Sequence, residues 1–211
     1  MNSLEFSITT FRIADLGCAT GPNTFLAVQA IIDAVVLKLK TPQKTTSMLP
    51  EFQVFFNDQA SNDFNQLFAT LPQDRQYFAA GVPGSFRDRL FPSSYLHFVH
   101  CSSAIHILSR VPKEVSDRGS PVWNKGKVQL SNSTPEVIKA YEDQYTEDLN
   151  RFLKAREEEI VLGGFMAFLV PGRANGTPHS EAFNNGVLEL FGSFLMDMAN
   201  KVLFLITLNH I

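Results

Sequence analysis

A chain of 211 residues with 45% hydrophobic and 11% aromatic content carries enough apolar side chain for the core of one globular domain, and it is read as a single domain over residues 1–211. Its formal net charge of -3, from 18 basic and 21 acidic residues with no long run of either sign, leaves no electrostatic footprint for nucleic acid or an anionic membrane surface. The two cysteines, Cys18 and Cys101, cannot build a disulfide framework, and the opening MNSLEFSITTF lacks the basic region and apolar core of a signal peptide. The longest apolar runs fall short of the roughly 20 residues that span a bilayer, so the chain reads as cytoplasmic, with neither nucleic acid nor membrane as a partner.

In chain order, the run Phe11 to Leu16 is a short strand that meets a glycine-bounded turn. Thr24 to Lys40 then sets Phe25, Val28, Ile31, Ile32, Val35, Val36 and Leu39 on one helical face. TPQKTTSMLP is a polar loop closed by Pro50, and FQVFF is apolar and aromatic enough for a buried second strand, ending at NDQASNDF. Asp63 to Leu71 suits a short helix, YFAAGVPGSF a third strand entering a Gly/Pro turn, and YLHFVHCSSAIHILS a fourth strand entering another turn. Residues 111–135 read as a cap or loop insertion. The next helix opens on the capping pattern Ser133-x-x-Glu136 with a proline in its first turn. It keeps an apolar face through Val137, Tyr141, Tyr145, Leu149, Phe152 and Leu153, and is expected to stop at Gly163-Gly164. FMAFLV is a fifth strand, and the tail VLFLITL, of high β-propensity without charge or proline, is expected to associate or to pair with that strand's open edge. Alternating helices and apolar strands predict an α/β fold, a doubly wound, mostly parallel sheet with helices on both faces.

In such a fold ligands sit outside the carboxyl ends of the strands, so the residues ending each strand are the informative ones. They are DLGCATGPN, NDQASND, GVPGSF and HCSS, all polar. Gly17 and Gly21 permit positive φ and close approach to a ligand, yet their spacing is not the G-x-G-x-x-G of a pyrophosphate loop. Asp58 stands where an acid accepts both ribose hydroxyls of a nucleoside, and Asp15 where it receives a cationic amine. A positively charged nucleoside without phosphates fits that description, and S-adenosylmethionine is the common cofactor of this kind. Against it stands the ordinary use of acids and glycines at strand ends as caps and turn formers. Cys18 has no basic neighbour in sequence and reads as a turn residue offering its backbone, not as a nucleophile. His97 and His100, three apart on a strand, point to opposite faces and read as structural.

The segments IADLGCATGPNT, NDQASNDFNQLF, GVPGSFRDRLFP, LHFVHCSSAIHILSRVP, NKG and GTPHS, in that order, resemble the successive motifs of plant SABATH-type carboxyl methyltransferases. The resemblance runs from Phe11 to about Lys201 and implies a Rossmann-like methyltransferase fold. It also implies transfer of a methyl group from S-adenosylmethionine to the carboxylate of a small lipophilic acid, or to a purine-like ring nitrogen in the family's xanthine branch. Cofactor contacts carry over to Asp15, Gly17, Cys18, Asn23, Asp58, Gln59, Ser85, Phe86 and Cys101, and substrate contacts to Ser103, His106 and Ile107. A homodimer is implied as well. Some relatives bind Mg²⁺ through an asparagine matching Asn124 together with residues of a later segment. Asn124 alone does not satisfy an ion that wants near-octahedral oxygen ligation.

For this chemistry a carboxylate is already ionised at neutral pH and a sulfonium is an activated leaving group, so no general base is required. In-line placement at roughly 3 Å and exclusion of water are what the protein supplies, worth up to ~7–11 kcal/mol. His106 is the expected catalytic residue, donating a hydrogen bond that orients the acceptor carboxylate. Ile107 stands where the family usually has tryptophan, which shifts the expected substrate from salicylate or benzoate toward an aliphatic or terpenoid acid. Against the family pattern, the upstream half of the lid and the sixth and seventh strands are expected to be missing. That leaves two classes, an active methyltransferase and a non-catalytic remnant that binds cofactor or a full-length partner. The chain alone is expected to be marginally soluble, with little methyl transfer.

Overall fold

The structure is a computed structural model that describes residues 9–40, 49–124, 127, 133–172, 174–178, 181 and 183–208. The polar loop over 41–48 and most of the stretch 125–132 therefore lie outside the described residues. The chain divides into two compact units, Met1–Ile107 with Leu149–Val170, and Leu108–Asp148 with Pro171–Ile211.

In the first unit, β1 (Thr10–Leu16) is apolar on both sides because both are covered. Ile13 faces a core shared with Phe25, Val28 and Ile32 of α1 (Pro22–Leu39), while Ala14 and Leu16 face a second core with Leu96, Val99 and Phe152. Strands β2 (Glu51–Asp58), β3 (Phe78–Pro83), β4 (Leu96–Ser102) and β5 (Ile160–Leu169) join β1 in one five-stranded sheet. Its order is β3-β2-β1-β4-β5 and every pairing is parallel. The expected doubly wound α/β fold is thus the fold observed. The order reverses between β1 and β4, so their carboxyl ends form the topological switch point, where a ligand crevice arises in such sheets.

Helix boundaries differ from the sequence expectation in ways that have local causes. Helix α1 begins two residues early, since Pro22, whose missing N–H costs nothing at a helix start, occupies its first position. Helix α2 (Phe64–Ala69) is capped by Asp63, whose carboxylate accepts from the Gln66 N–H at 2.9 Å. Helix α1 meets the length and hydropathy of a membrane span, but it packs on the sheet through Thr24, Phe25, Val28 and Ile32.

Gly163-Gly164 does not end a helix. Helix α4 (Pro135–Glu159) stops earlier, and β5 begins at once with Ile160. The register then jumps from Leu96↔Ile160 to Phe98↔Phe165, a bulge in β5 that holds both glycines. Gly163 has φ +80°, and a Cβ on Gly164 would lie 2.5 Å from the Ile160 side chain and 3.1 Å from the His97 carbonyl oxygen. No larger residue fits there.

The second unit contains α3 (Lys113–Ser116), the first part of α4 and α5 (Phe183–Leu208). Residues 111–135, expected as an insertion, fall within it. In the first turn of α4, hydrogen bonds from the Glu136 backbone N–H and the Thr134 hydroxyl hold the Glu136 carboxyl below the usual glutamate range. The tail VLFLITL is helical through Leu208, not a strand pairing with β5. Its β-propensity reflects fit to a pleated, half-buried surface. Here it continues an unbroken helix, with no Gly or Pro after Gly192 to interrupt it.

Candidate functional site

At the carboxyl end of β1 the chain turns through Gly17, whose φ is +79°. The N–H groups of Gly17 and Cys18 both donate to the Asn57 carbonyl, at 2.9 and 3.0 Å. Two residues later Ala19, with φ 52°, donates its N–H to Asp58 Oδ2 at 2.8 Å, and Asn62 Nδ2 donates to the Ala19 carbonyl at 3.2 Å. The second oxygen of Asp58, Oδ1, accepts the Gln59 N–H at 2.7 Å. The Asp58 carboxylate is therefore oriented by backbone on both oxygens while remaining half-buried at the rim. Each oxygen keeps a lone pair for a ligand hydroxyl.

Asn57, which the sequence reading passed over, organises the same region. Its backbone carbonyl holds the β1 turn, and its side-chain Nδ2 donates to the carbonyls of Val82 at 2.7 Å and Gly84 at 3.0 Å. The Gly84 N–H in turn donates to the Asp58 carbonyl at 2.9 Å. Asn57 is fully buried, and its Oδ1 has no hydrogen-bond partner among the described residues. Asn57→Leu, close in volume, leaves two loop carbonyls without a donor and is expected to destabilise the chain by about 1–3 kcal/mol. A urea titration checks this; a loss below about 0.5 kcal/mol would mean that the turns after β1 and β3 hold without it.

Asp15 and His100 are register partners on β1 and β4, and His100 Nδ1 donates to Asp15 Oδ1 at 2.7 Å. The Thr24 hydroxyl, in the first turn of α1, donates to Asp15 Oδ2. Asp15 is only 3% exposed, so the acid expected to receive an amine has both oxygens engaged inside the protein. What it sets directly is the position of the α1 start against β4. Histidine His97 is also structural: Nδ1 accepts the Arg12 N–H at 3.0 Å, and burial, with Arg12 adding to it, holds its pKa below the ordinary value.

Both thiols are poor nucleophiles. Burial first, then the charges of Asp15 and Asp58, push the Cys18 thiol far up, and burial pushes the Cys101 thiol up to about 11. The reading of Cys18 as a turn residue agrees with this chemistry.

After β3, Ser85 is exposed and its Oγ accepts the Arg87 N–H at 3.3 Å. The ring of Phe86 turns inward onto Phe152, with centroids 6.0 Å apart, and the residue as a whole is buried. After β4, Ser103 takes φ 53° and donates its N–H to the Leu169 carbonyl at 2.9 Å. Ala104 lies so near Gly17 that a Cβ built on the glycine would be 2.4 Å from the Ala104 Cβ. His106 is exposed, and Ile107 is 57% exposed with its carbonyl accepting from the Arg87 guanidinium. Backbone contacts thus join the turns after β1, β2 and β3, the Gly17–Ala104 approach joins the turn after β4, and Arg87 ties Ile107 to the β3 turn. Asn23 and Gln59 are exposed beside them.

Asn124 lies in the second unit, and its Oδ1 accepts the Ser133 hydroxyl at 2.8 Å. No group of three His, Cys, Asp or Glu side chains placed to hold a metal ion occurs among the described residues. A groove of about 530 Å³ opens between α1, β4 and β5, lined by Phe11, Ile31, Val35, Phe98, Leu162 and Phe165 among others. It contains none of the predicted site residues, and its apolar walls do not suit a charged nucleoside.

Comparison with known proteins adds the following. The pattern of the SAM dependent carboxyl methyltransferase family matches residues 1–204. Loganic acid O-methyltransferase of Catharanthus roseus is 50% identical over 201 residues, covering 95% of this chain and 53% of that protein. Farnesoic acid carboxyl-O-methyltransferase of Arabidopsis thaliana is 46% identical over 198 residues, covering 94% and 56%. Among solved structures, loganic acid methyltransferase with SAH superposes with a TM-score of 0.87 at 48% identity, over 94% of this chain and 57% of the other. The chain spans about half the length of the relatives it matches.

Proposed function

The chain belongs to the SAM dependent carboxyl methyltransferase family, and from that premise we propose that it serves methyl transfer from S-adenosylmethionine to the carboxylate of a small lipophilic acid without an aromatic ring. The observation that carries this reading is the Asp58 carboxylate, held by the Ala19 and Gln59 N–H groups at the rim where the turns after β1, β2 and β3 meet. One feature of the cradle fits a nucleoside cofactor: each Asp58 oxygen, already oriented by a backbone N–H, keeps a lone pair for a ribose hydroxyl.

When bound, S-adenosylmethionine supplies an activated methyl group on a positively charged sulfur. Asp58 would accept the ribose hydroxyls, the Gly17–Cys18 backbone would allow close approach, and Ser85 with the Phe86 backbone would meet the base. His106, exposed beside Ser103 after β4, would donate a hydrogen bond to the acceptor carboxylate and orient it. The acceptor is ionised without help, which accounts for a proposed role of orientation rather than proton abstraction for His106. The raised thiols of Cys18 and Cys101 offer no competing nucleophile for the methyl group.

Loganic acid and farnesoic acid, for which two relatives are named, support a carboxylate acceptor. Ile107 supports an acid without an aromatic ring, since an exposed aliphatic side chain offers no flat face for stacking. Ile107→Trp is expected to improve the affinity of benzoate relative to an aliphatic acid of equal size by about 0.5–1.5 kcal/mol. Calorimetry in the presence of S-adenosylhomocysteine measures that ratio, and an unchanged ratio would remove Ile107 from the acid pocket. The reading as a whole is tested by titrating the chain with S-adenosylhomocysteine; a folded chain that gives no binding heat and no thermal shift refutes it.

A further inference from the structure

Helix α4 ends in a buried ion pair that the function above does not use. Arg156 and Glu159 are both 0% exposed, one turn apart, with Arg156 Nη2 and Glu159 Oε2 separated by 2.7 Å. Each then reaches about seventy residues back along the chain to the same turn. Arg156 donates from Nη1 to the Phe86 carbonyl at 2.7 Å and from Nη2 to the Asp88 carbonyl at 2.9 Å. Glu159 Oε1 accepts the N–H groups of Leu90 and of Phe91, the latter at 2.8 Å. The guanidinium also lies over the Phe152 ring, 5.1 Å from its centroid, and that ring packs on Phe86.

A buried pair of this kind is a poor way to gain stability. Desolvating both ions cancels much of their attraction, and apolar side chains of similar volume often serve as well or better. What apolar side chains cannot do is satisfy two carbonyls and two N–H groups of an irregular turn, in a set geometry, from one rigid helix end. The turn so held begins with Ser85 and Phe86. Resting on the cofactor reading above, we propose that Arg156 and Glu159 are positioning residues that hold the turn after β3 in the conformation that receives the adenine end of S-adenosylmethionine.

The pair acts through the turn and touches no reacting atom. Removing either partner leaves the other charge buried and costs stability; what separates a positioning role from an ordinary core contact is a loss of cofactor affinity in a variant that still folds. Arg156→Met keeps most of the volume and the Phe152 contact but removes both donors. Glu159→Gln keeps an acceptor for Leu90 and Phe91 while turning an amide N–H₂ toward the guanidinium.

The test titrates the chain and both variants with S-adenosylhomocysteine and records thermal melting and amide hydrogen exchange over residues 85–91. The expected result for either folded variant is a ten- to thirtyfold loss of affinity, with faster exchange over 85–91 and unchanged protection of β1 and β2. Glu159→Gln provides the measurement if Arg156→Met does not fold. A folded variant that binds within twofold of the parent overturns the inference and leaves the cofactor reading standing. A parent chain that does not bind S-adenosylhomocysteine overturns the cofactor reading, and this inference with it. Equal losses of protection throughout the sheet would assign the pair to general stability and also overturn the proposal.

Discussion

Gly17→Ala is expected to remove measurable cofactor binding and to destabilise the chain by several kcal/mol. Two separate costs add at this position. The backbone sits at φ +79°, in the left-handed region, where a Cβ costs about 1–2 kcal/mol. The new methyl would also lie 2.4 Å from the Ala104 Cβ, an overlap that forces apart the turns after β1 and β4 at a cost of about 1–3 kcal/mol. The displaced segments carry Cys18 on one side and Ser103, His106 and Ile107 on the other, so stability and binding should fall together. The two costs are separable. Gly17→Ala combined with Ala104→Gly relieves the overlap and not the backbone strain, and should recover about half of the lost stability in a denaturant titration. Full recovery would show that strain at φ contributes nothing, and a single variant within about 0.5 kcal/mol of the parent would show that the two turns are free to part.

Asp58→Ala is expected to weaken S-adenosylhomocysteine binding roughly ten- to a hundredfold, the loss of a charge-assisted hydrogen bond worth about 1.5–3 kcal/mol. The carboxylate also holds the N–H groups of Ala19 and Gln59, so melting must be measured beside affinity. Asp58→Asn distinguishes the contributions. It keeps one side-chain oxygen for a backbone N–H and loses the charge, so affinity should fall by more than stability does. Unchanged affinity in a folded Asp58→Ala protein would place the ribose elsewhere.

The candidate residues divide by how locally their signal is written. Asp58 was legible because an acid two residues past the apolar run FQVFF reads as the end of a strand, and in a parallel α/β sheet strand ends are where ligands sit. Asn57, one residue earlier, carries no such signal. A polar residue closing an apolar run looks like the start of a loop, and its worth depends on Gly17 and Cys18 after β1 and Val82 and Gly84 at the end of β3 arriving around it. Asp15 was legible as an acid at a strand end but not as one already bonded to His100 and Thr24, because those partners come from β4 and α1.

By itself the sequence determined the alternation of apolar strands and helices, the parallel sheet that follows from it, the polar strand ends and the acid at Asp58, because each rests on periodicity or position within a few residues. Only the tertiary structure decided which way Gly163-Gly164 and the VLFLITL run would go, and which side chains tie the turns together. Two glycines after a helical run serve equally as a helix stop or a strand bulge, and contact with Ile160 and the His97 carbonyl selects the bulge. A run of β-branched and leucine side chains suits strand or helix, and the unbroken helix before it carries it into α5. The Arg156–Glu159 pair reads in sequence as one more charged stretch on a helix face; its meaning lies in backbone groups some seventy residues away, and side-chain pattern holds no record of unpaired backbone groups that distant.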